Sequence, residues 1–123
     1  MNIVEINVLV LAFLGDAIYE RYVREYLILK GISNVNDLQK ETINYVSAKN
    51  QAKYLKELID NNILTEEEIN IVKRARNHKN SNHPKNCDPV TYHLATGLEA
   101  LIGYLKLAKK EERIEEIMNV ILK

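Results

Sequence analysis

The stretch VEINVLVLAFLGDAIYERYVREYLILK, residues 4–30, decides the fold class. Val4, Val8, Leu11, Gly15, Ile18, Tyr22, Tyr26 and Leu29 recur at steps of three or four, the spacing of one helical face. Gly31 stands where a left-handed cap is wanted. From Val8 to Leu14 the stretch is apolar nearly all round, so this helix is expected to be covered on several sides, by its own domain or by a second subunit. Residues 35–60 read as one broken helix or two. Val35, Leu38, Ile43 and Val46 form the first face; Ser47 can cap a second piece with Ala48, Ala52, Leu55 and Ile59 inside. Asn61-Asn62 ends it, and Thr65 with Glu68 three residues on is a capping-box pattern for a helix over 66–77. Asp88-Pro89 is an N-cap followed by proline at the first helical position, opening a helix over 89–108; a last one covers 110–122. No alternating strand pattern, internal repeat or linker interrupts the series. The reading is all-α, a helical bundle forming a single domain over 1–123.

Composition agrees. The chain has 123 residues, is 46% hydrophobic and 28% charged, and carries one Phe, seven Tyr and no Trp, so its core is mostly aliphatic. Four glycines and two prolines are too few for a many-turned sandwich, propeller or barrel. One cysteine excludes an internal disulfide and a multi-cysteine metal site, which suits a reducing, cytoplasmic setting. The apolar run Val8 to Leu14 is far shorter than the roughly 20 residues of a membrane helix, and no base precedes Arg21 to make a signal peptide.

Lys plus Arg equals Asp plus Glu at 17 each, a balance that argues weakly against a nucleic-acid partner. The distribution argues the other way. Glu57, Asp60, Glu66, Glu67 and Glu68 fall in one stretch without a base; Lys73, Arg74, Arg76, Lys79 and Lys85 fall in the next without an acid. The second stretch runs into the Asn-rich loop NHKNSNHPKNCD, residues 77–88. Its ordinary reading is a solvated loop after a helix C-terminus. Its functional reading is a phosphate-contacting surface in which Arg and Lys neutralise phosphates while Asn and His side chains, Asn77 among them, offer extra hydrogen bonds to sugar or backbone. His78, His83 and Cys87 share the loop without a usual zinc-ligand spacing.

Two carboxylates stand in apolar helices: Asp16 in FLGDAI and Glu99 in TGLEALIG. A buried, unpaired carboxylate is costly, so a base, a hydrogen-bond network or a metal must compensate. Ala12 and Gly15 flank the first, Ala95, Gly97 and Gly103 the second; small residues let two helices cross closely with both carboxylates at the crossing. Glu20 lies one turn after Asp16, and three such acids would suit Mg²⁺. The alternative is purely structural: Asp16 accepting bonds from Tyr or Asn, Glu99 paired with Arg21 or Arg24. The tyrosines at 19, 22, 26 and 45 are expected to bury their rings and keep their hydroxyls at the surface.

Phe13-Leu-Gly-Asp-Ala17 resembles the signature of the ribonuclease III family, and Glu99-Ala-Leu-Ile-Gly103 its second motif, in the same order. The resemblance is closest to the short, Mini-type bacterial form without a double-stranded-RNA-binding domain. It extends over Arg74-Ala-Arg-Asn77, Pro84-Lys85-Asn86 and Tyr92. Where full-size members carry further acids, this chain has Leu9, Ala12 and Thr96. The resemblance therefore carries over only Asp16 and Glu99 as catalytic metal ligands, with Glu20 as a replacement ligand. It implies an all-α homodimer with Phe13 in the interface. It also implies Mg²⁺-dependent hydrolysis of double-stranded RNA (Mn²⁺ a possible substitute), leaving 5′-phosphate and 3′-hydroxyl ends, and maturation of 23S ribosomal RNA precursor. Lys73, Arg74, Arg76, Asn77, Lys79 and Lys85 are the expected RNA contacts. A non-catalytic helical RNA-binding module assisting ribosome assembly is the rival reading; such a module has no use for the two carboxylates.

Overall fold

The computed structural model describes residues 2–78 and 87–123. After a short 3-10 turn, Ile3–Glu5, six helices follow: α1 (Val8–Leu29), α2 (Val35–Val46), α3 (Ala48–Asp60), α4 (Glu66–Asn77), α5 (Pro89–Leu107) and α6 (Glu111–Ile121). The described residues contain no strand.

The punctuation follows local chemistry. Asn7, not Val4, begins α1: its side chain accepts from Leu9 N, so the helix starts later than periodicity alone indicates. Ser47 ends α2 and caps α3, resolving the 35–60 stretch into two helices. Thr65 and Glu68 form the capping box at the start of α4. Asp88 accepts from Thr91 N before α5. Gly31, at φ 103°, follows α1 as the left-handed residue.

Helix α5 is the axis of the molecule. From Ala95 to Leu105 every residue is buried except Glu99. Helices α1, α3, α4 and α6 pack around it, while α2 lies against α1. Glu68, buried, is gripped by Arg113 of α6 through Nε and Nη2, both at 2.8 Å, which ties the last helix to the start of α4.

Two expectations are corrected. Within α1 the buried stripe is Val8, Leu11, Gly15, Tyr19, Val23 and Leu27. Ile18, Tyr22 and Tyr26 are only partly buried, Val4 is exposed, and Leu29 is 87% exposed. Both stripes advance by the same steps, so an all-round apolar helix leaves the choice between them to its neighbours. The chain's own elements also leave one side of α1 open, with Val10 and Phe13 exposed. On α2, Val35 and Ile43 are exposed, because that helix lies at the edge of the bundle, against α1 and the neighbouring α3.

Candidate active site

Helices α1 and α5 cross through two glycines. A Cβ at Gly15 would overlap the Glu99 carbonyl, and one at Gly103 would overlap the Leu11 carbonyl. With no side chain between the backbones, Asp16, the residue after Gly15, is brought beside Glu99. The Asp16 carboxyl is close enough to Glu99 to raise the pKa of its carboxyl. The crossing inferred from the small residues is therefore present.

The burial of the pair is not symmetric. Asp16 is exposed, contrary to the expectation drawn from its apolar surroundings, because the side of α1 it occupies is uncovered. Glu99 is largely enclosed, and its pKa is pushed up to about 8. Burial is the main cause, followed by the hydrogen bond to Asp16 and that group's charge; the Gln51 side chain pulls the value partly back. Near neutral pH the Glu99 carboxyl therefore holds its proton. The exposed Asp16 forms the mouth of an oxygen donor set, with the part-buried Glu99 behind it. Two hard oxygen ligands with room for water are what a Mg²⁺-type cation takes from a protein, so the residues present fit such an ion.

Gln51 is the residue that sequence reasoning missed. It is 2% exposed, on α3. Gln51, Ala52, Leu55 and Leu58 form the buried stripe of α3, and an amide at an apolar register position was the available signal. Tyr19 was misjudged too: it is fully buried, and its hydroxyl donates to the Tyr45 carbonyl at 2.7 Å. Burial pushes that hydroxyl's pKa up, with Tyr54, Glu99 and Tyr45 adding to the effect.

Glu20 does not join the pair. Its carboxylate accepts from Arg24 Nη2 at 2.5 Å, and no group of three acids, histidines or cysteines able to hold a metal occurs among the described residues. Arg21 pairs with Glu25 at 2.9 Å, so neither arginine neutralises Glu99. Phe13, 83% exposed, lies one turn before Asp16 on α1. Lys73, Arg76 and Asn77 are exposed on the last turns of α4. That helix packs on α5 at Gly97, next to Val72 and two residues from Glu99. Arg74 is half-buried and donates through Nη2 to the Ile6 carbonyl at 2.8 Å, so part of its guanidinium serves the N-terminal segment. Lys79, His83 and Lys85 lie outside the described residues.

Residues 9–110 match the family described as Ribonuclease III domain. The chain belongs to the ribonuclease III family. It is similar to the Mini-ribonuclease 3 of Brevibacillus brevis, 54% identical over 92% of this chain and 83% of the relative. It is also similar to that of Enterococcus faecalis, 45% identical over 97% and 90%. A crystal structure of a Fusobacterium nucleatum protein superposes with a TM-score of 0.85 at 43% identity, covering 95% of this chain and 93% of that one. As a ribonuclease III family member of the short type, the chain is an endoribonuclease, and the family's substrate is double-stranded RNA. No helix is long and apolar enough to cross a membrane among the described residues.

Proposed function

We propose that residues 1–123 act as one catalytic unit, a Mg²⁺-dependent endonuclease that cuts double-stranded RNA to 5′-phosphate and 3′-hydroxyl ends. The observation that carries the reading is the Asp16–Glu99 carboxyl pair at the glycine crossing, half open to solvent and without a basic partner among the described residues. Asp16 and Glu99 would hold the cation, and Mn²⁺ would substitute for Mg²⁺. When bound, such an ion supplies Lewis acidity, acidifying a water and polarising the scissile phosphate.

The chain's own residues do the rest. Asp16, at the mouth, faces the incoming backbone; Glu99, behind it, is fixed by the α1–α5 contact. Lys73, Arg76 and Asn77, together with Lys79 and Lys85, engage phosphates and 2′-hydroxyls of an A-form duplex, whose narrow major groove hides the bases. Phe13 and Val10 form an apolar patch beside Asp16 that a second copy would cover, giving a homodimer with two sites. Glu20, held by Arg24, would reach a cation only through water. The similarity to Mini-ribonuclease 3 proteins supports precursor 23S ribosomal RNA, in the cytoplasm, as the physiological substrate.

Incubation of the pure protein with a long RNA duplex, with and without Mg²⁺, tests the reading. Metal-dependent fragments bearing 5′-phosphates are expected, and Asp16→Asn protein should produce none. Intact duplex under every divalent cation would refute it.

A further inference from the structure

We propose that Gln51 is a positioning residue: its buried amide, unpartnered among the described residues, donates to one oxygen of the Glu99 carboxylate when a divalent cation takes the other. The inference rests on the reading of Glu99 as a cation ligand.

The amide is sealed from solvent, and its Nε2 has no hydrogen-bond partner among the described residues. Leu55, one turn after Gln51 on α3, packs at Gly97, two residues before Glu99 on α5, so the amide lies on the part of α3 that faces that turn, and it lowers the Glu99 pKa. A buried amide donor left without a full partner is unfavourable, and an apolar side chain of the same length would fill the space without that loss. A donor next to a carboxylate gains most when the carboxylate is ionised, the form that binds a cation. Carboxylate ligands in metal sites are commonly fixed by such outer partners.

The backbone delivers the amide with little freedom. Ser47 begins α3, and its carbonyl accepts from Gln51 N at 2.9 Å. Two residues upstream, the Tyr45 carbonyl accepts from Tyr19, which lies one turn after Asp16 on α1. The Asn44 carbonyl accepts from Asn50 Nδ2 at 2.6 Å. The helix that carries Asp16 thus also fixes where α3 starts, and the packing of α3 on α5 at Gly97 sets Gln51 beside the turn that carries Glu99. Three helices set one carboxylate.

Gln51→Met keeps the length and removes the donor, and Gln51→Leu does the same with less bulk. Binding of Mn²⁺ to RNA-free protein, followed by the loss of its free-ion spin-resonance signal, reads the effect directly. Both variants should bind Mn²⁺ about tenfold more weakly, with a Tm equal to or above wild type and unchanged affinity for duplex RNA in Ca²⁺. Mn²⁺ affinity within twofold of wild type would overturn the proposal. So would a large fall in Tm in both variants, which marks a packing role. Glu99→Gln is the reference: if it binds Mn²⁺ like wild type, the ligand assignment itself fails. If it loses Mn²⁺ while Gln51→Met does not, only the role of Gln51 fails.

Discussion

Glu99 is a carboxyl whose protonated form is favoured by folding. Its pKa rises from the ordinary carboxylate range in the unfolded chain to about 8 in the folded one. The stability this provides is fully present below the unfolded value and is lost as pH climbs through about 8. The loss amounts to roughly 2–4 kcal/mol at a half-open site. Glu99→Gln stays neutral throughout, so in the presence of a chelator its Tm should match wild type at about pH 5 and exceed it at about pH 9. Parallel curves for the two proteins would contradict the assignment. The same substitution, and Asp16→Asn, should abolish cleavage of duplex RNA while leaving the helical circular dichroism unchanged. Near wild-type cutting by either variant would remove that carboxylate from the reaction.

Elements meet at glycines of two kinds, and substitution separates them. Gly15→Ala places a Cβ inside the Glu99 backbone, which cannot yield, so the variant should lose about 3 kcal/mol or more and its cleavage activity with it. At Gly97 an added Cβ would stand 3.4 Å from Leu55 Cδ2 and Val72 Cγ1, and alanine favours the helix. Gly97→Ala should therefore fall within about 1 kcal/mol of wild type by urea denaturation. The crossing was legible because small residues flank both carboxylates in a chain with only four glycines. Helix ends were legible wherever a capping side chain marks them, as at Ser47, Thr65 and Asp88. What periodicity could not choose was the inward face of α1, where apolar residues occur on every side and the packing of α5 and α2 decides that Tyr19 goes in and Phe13 stays out. Glu20 was ambiguous for a similar reason: Asp16 and Arg24 are each one turn away, and the ion pair took the carboxylate. Gln51 was hidden because a glutamine is ordinary on a helix surface, and its burial depends on the facing helix.

The whole molecule leaves its site beside an uncovered apolar patch. Phe13→Ala should weaken self-association by about 2–4 kcal/mol if the ring is the centre of that contact. Analytical ultracentrifugation of wild type and variant measures it, and a wild type that sediments as a monomer at micromolar concentration would remove the dimer. Charge is the other large-scale feature. In Ca²⁺, alanine at Lys73, Arg76, Lys79 and Lys85 together should weaken binding to duplexes of any sequence. The salt dependence should flatten by roughly 0.9 for each lost phosphate contact. An unchanged slope would mean that these cations face only solvent. Arg74→Ala should behave differently, lowering Tm as well, because it also releases the Ile6 carbonyl.

The proton that Glu99 keeps at neutral pH makes cation loading an exchange rather than a simple uptake. At neutral pH an arriving divalent ion must expel that proton to the surrounding buffer. The calorimetric heat of loading then contains the buffer's own heat of protonation, and titrations in phosphate and in Tris should differ by that amount times the fraction of a proton released. Raising the pH through about 8 should erase the difference, since Glu99 is then already bare.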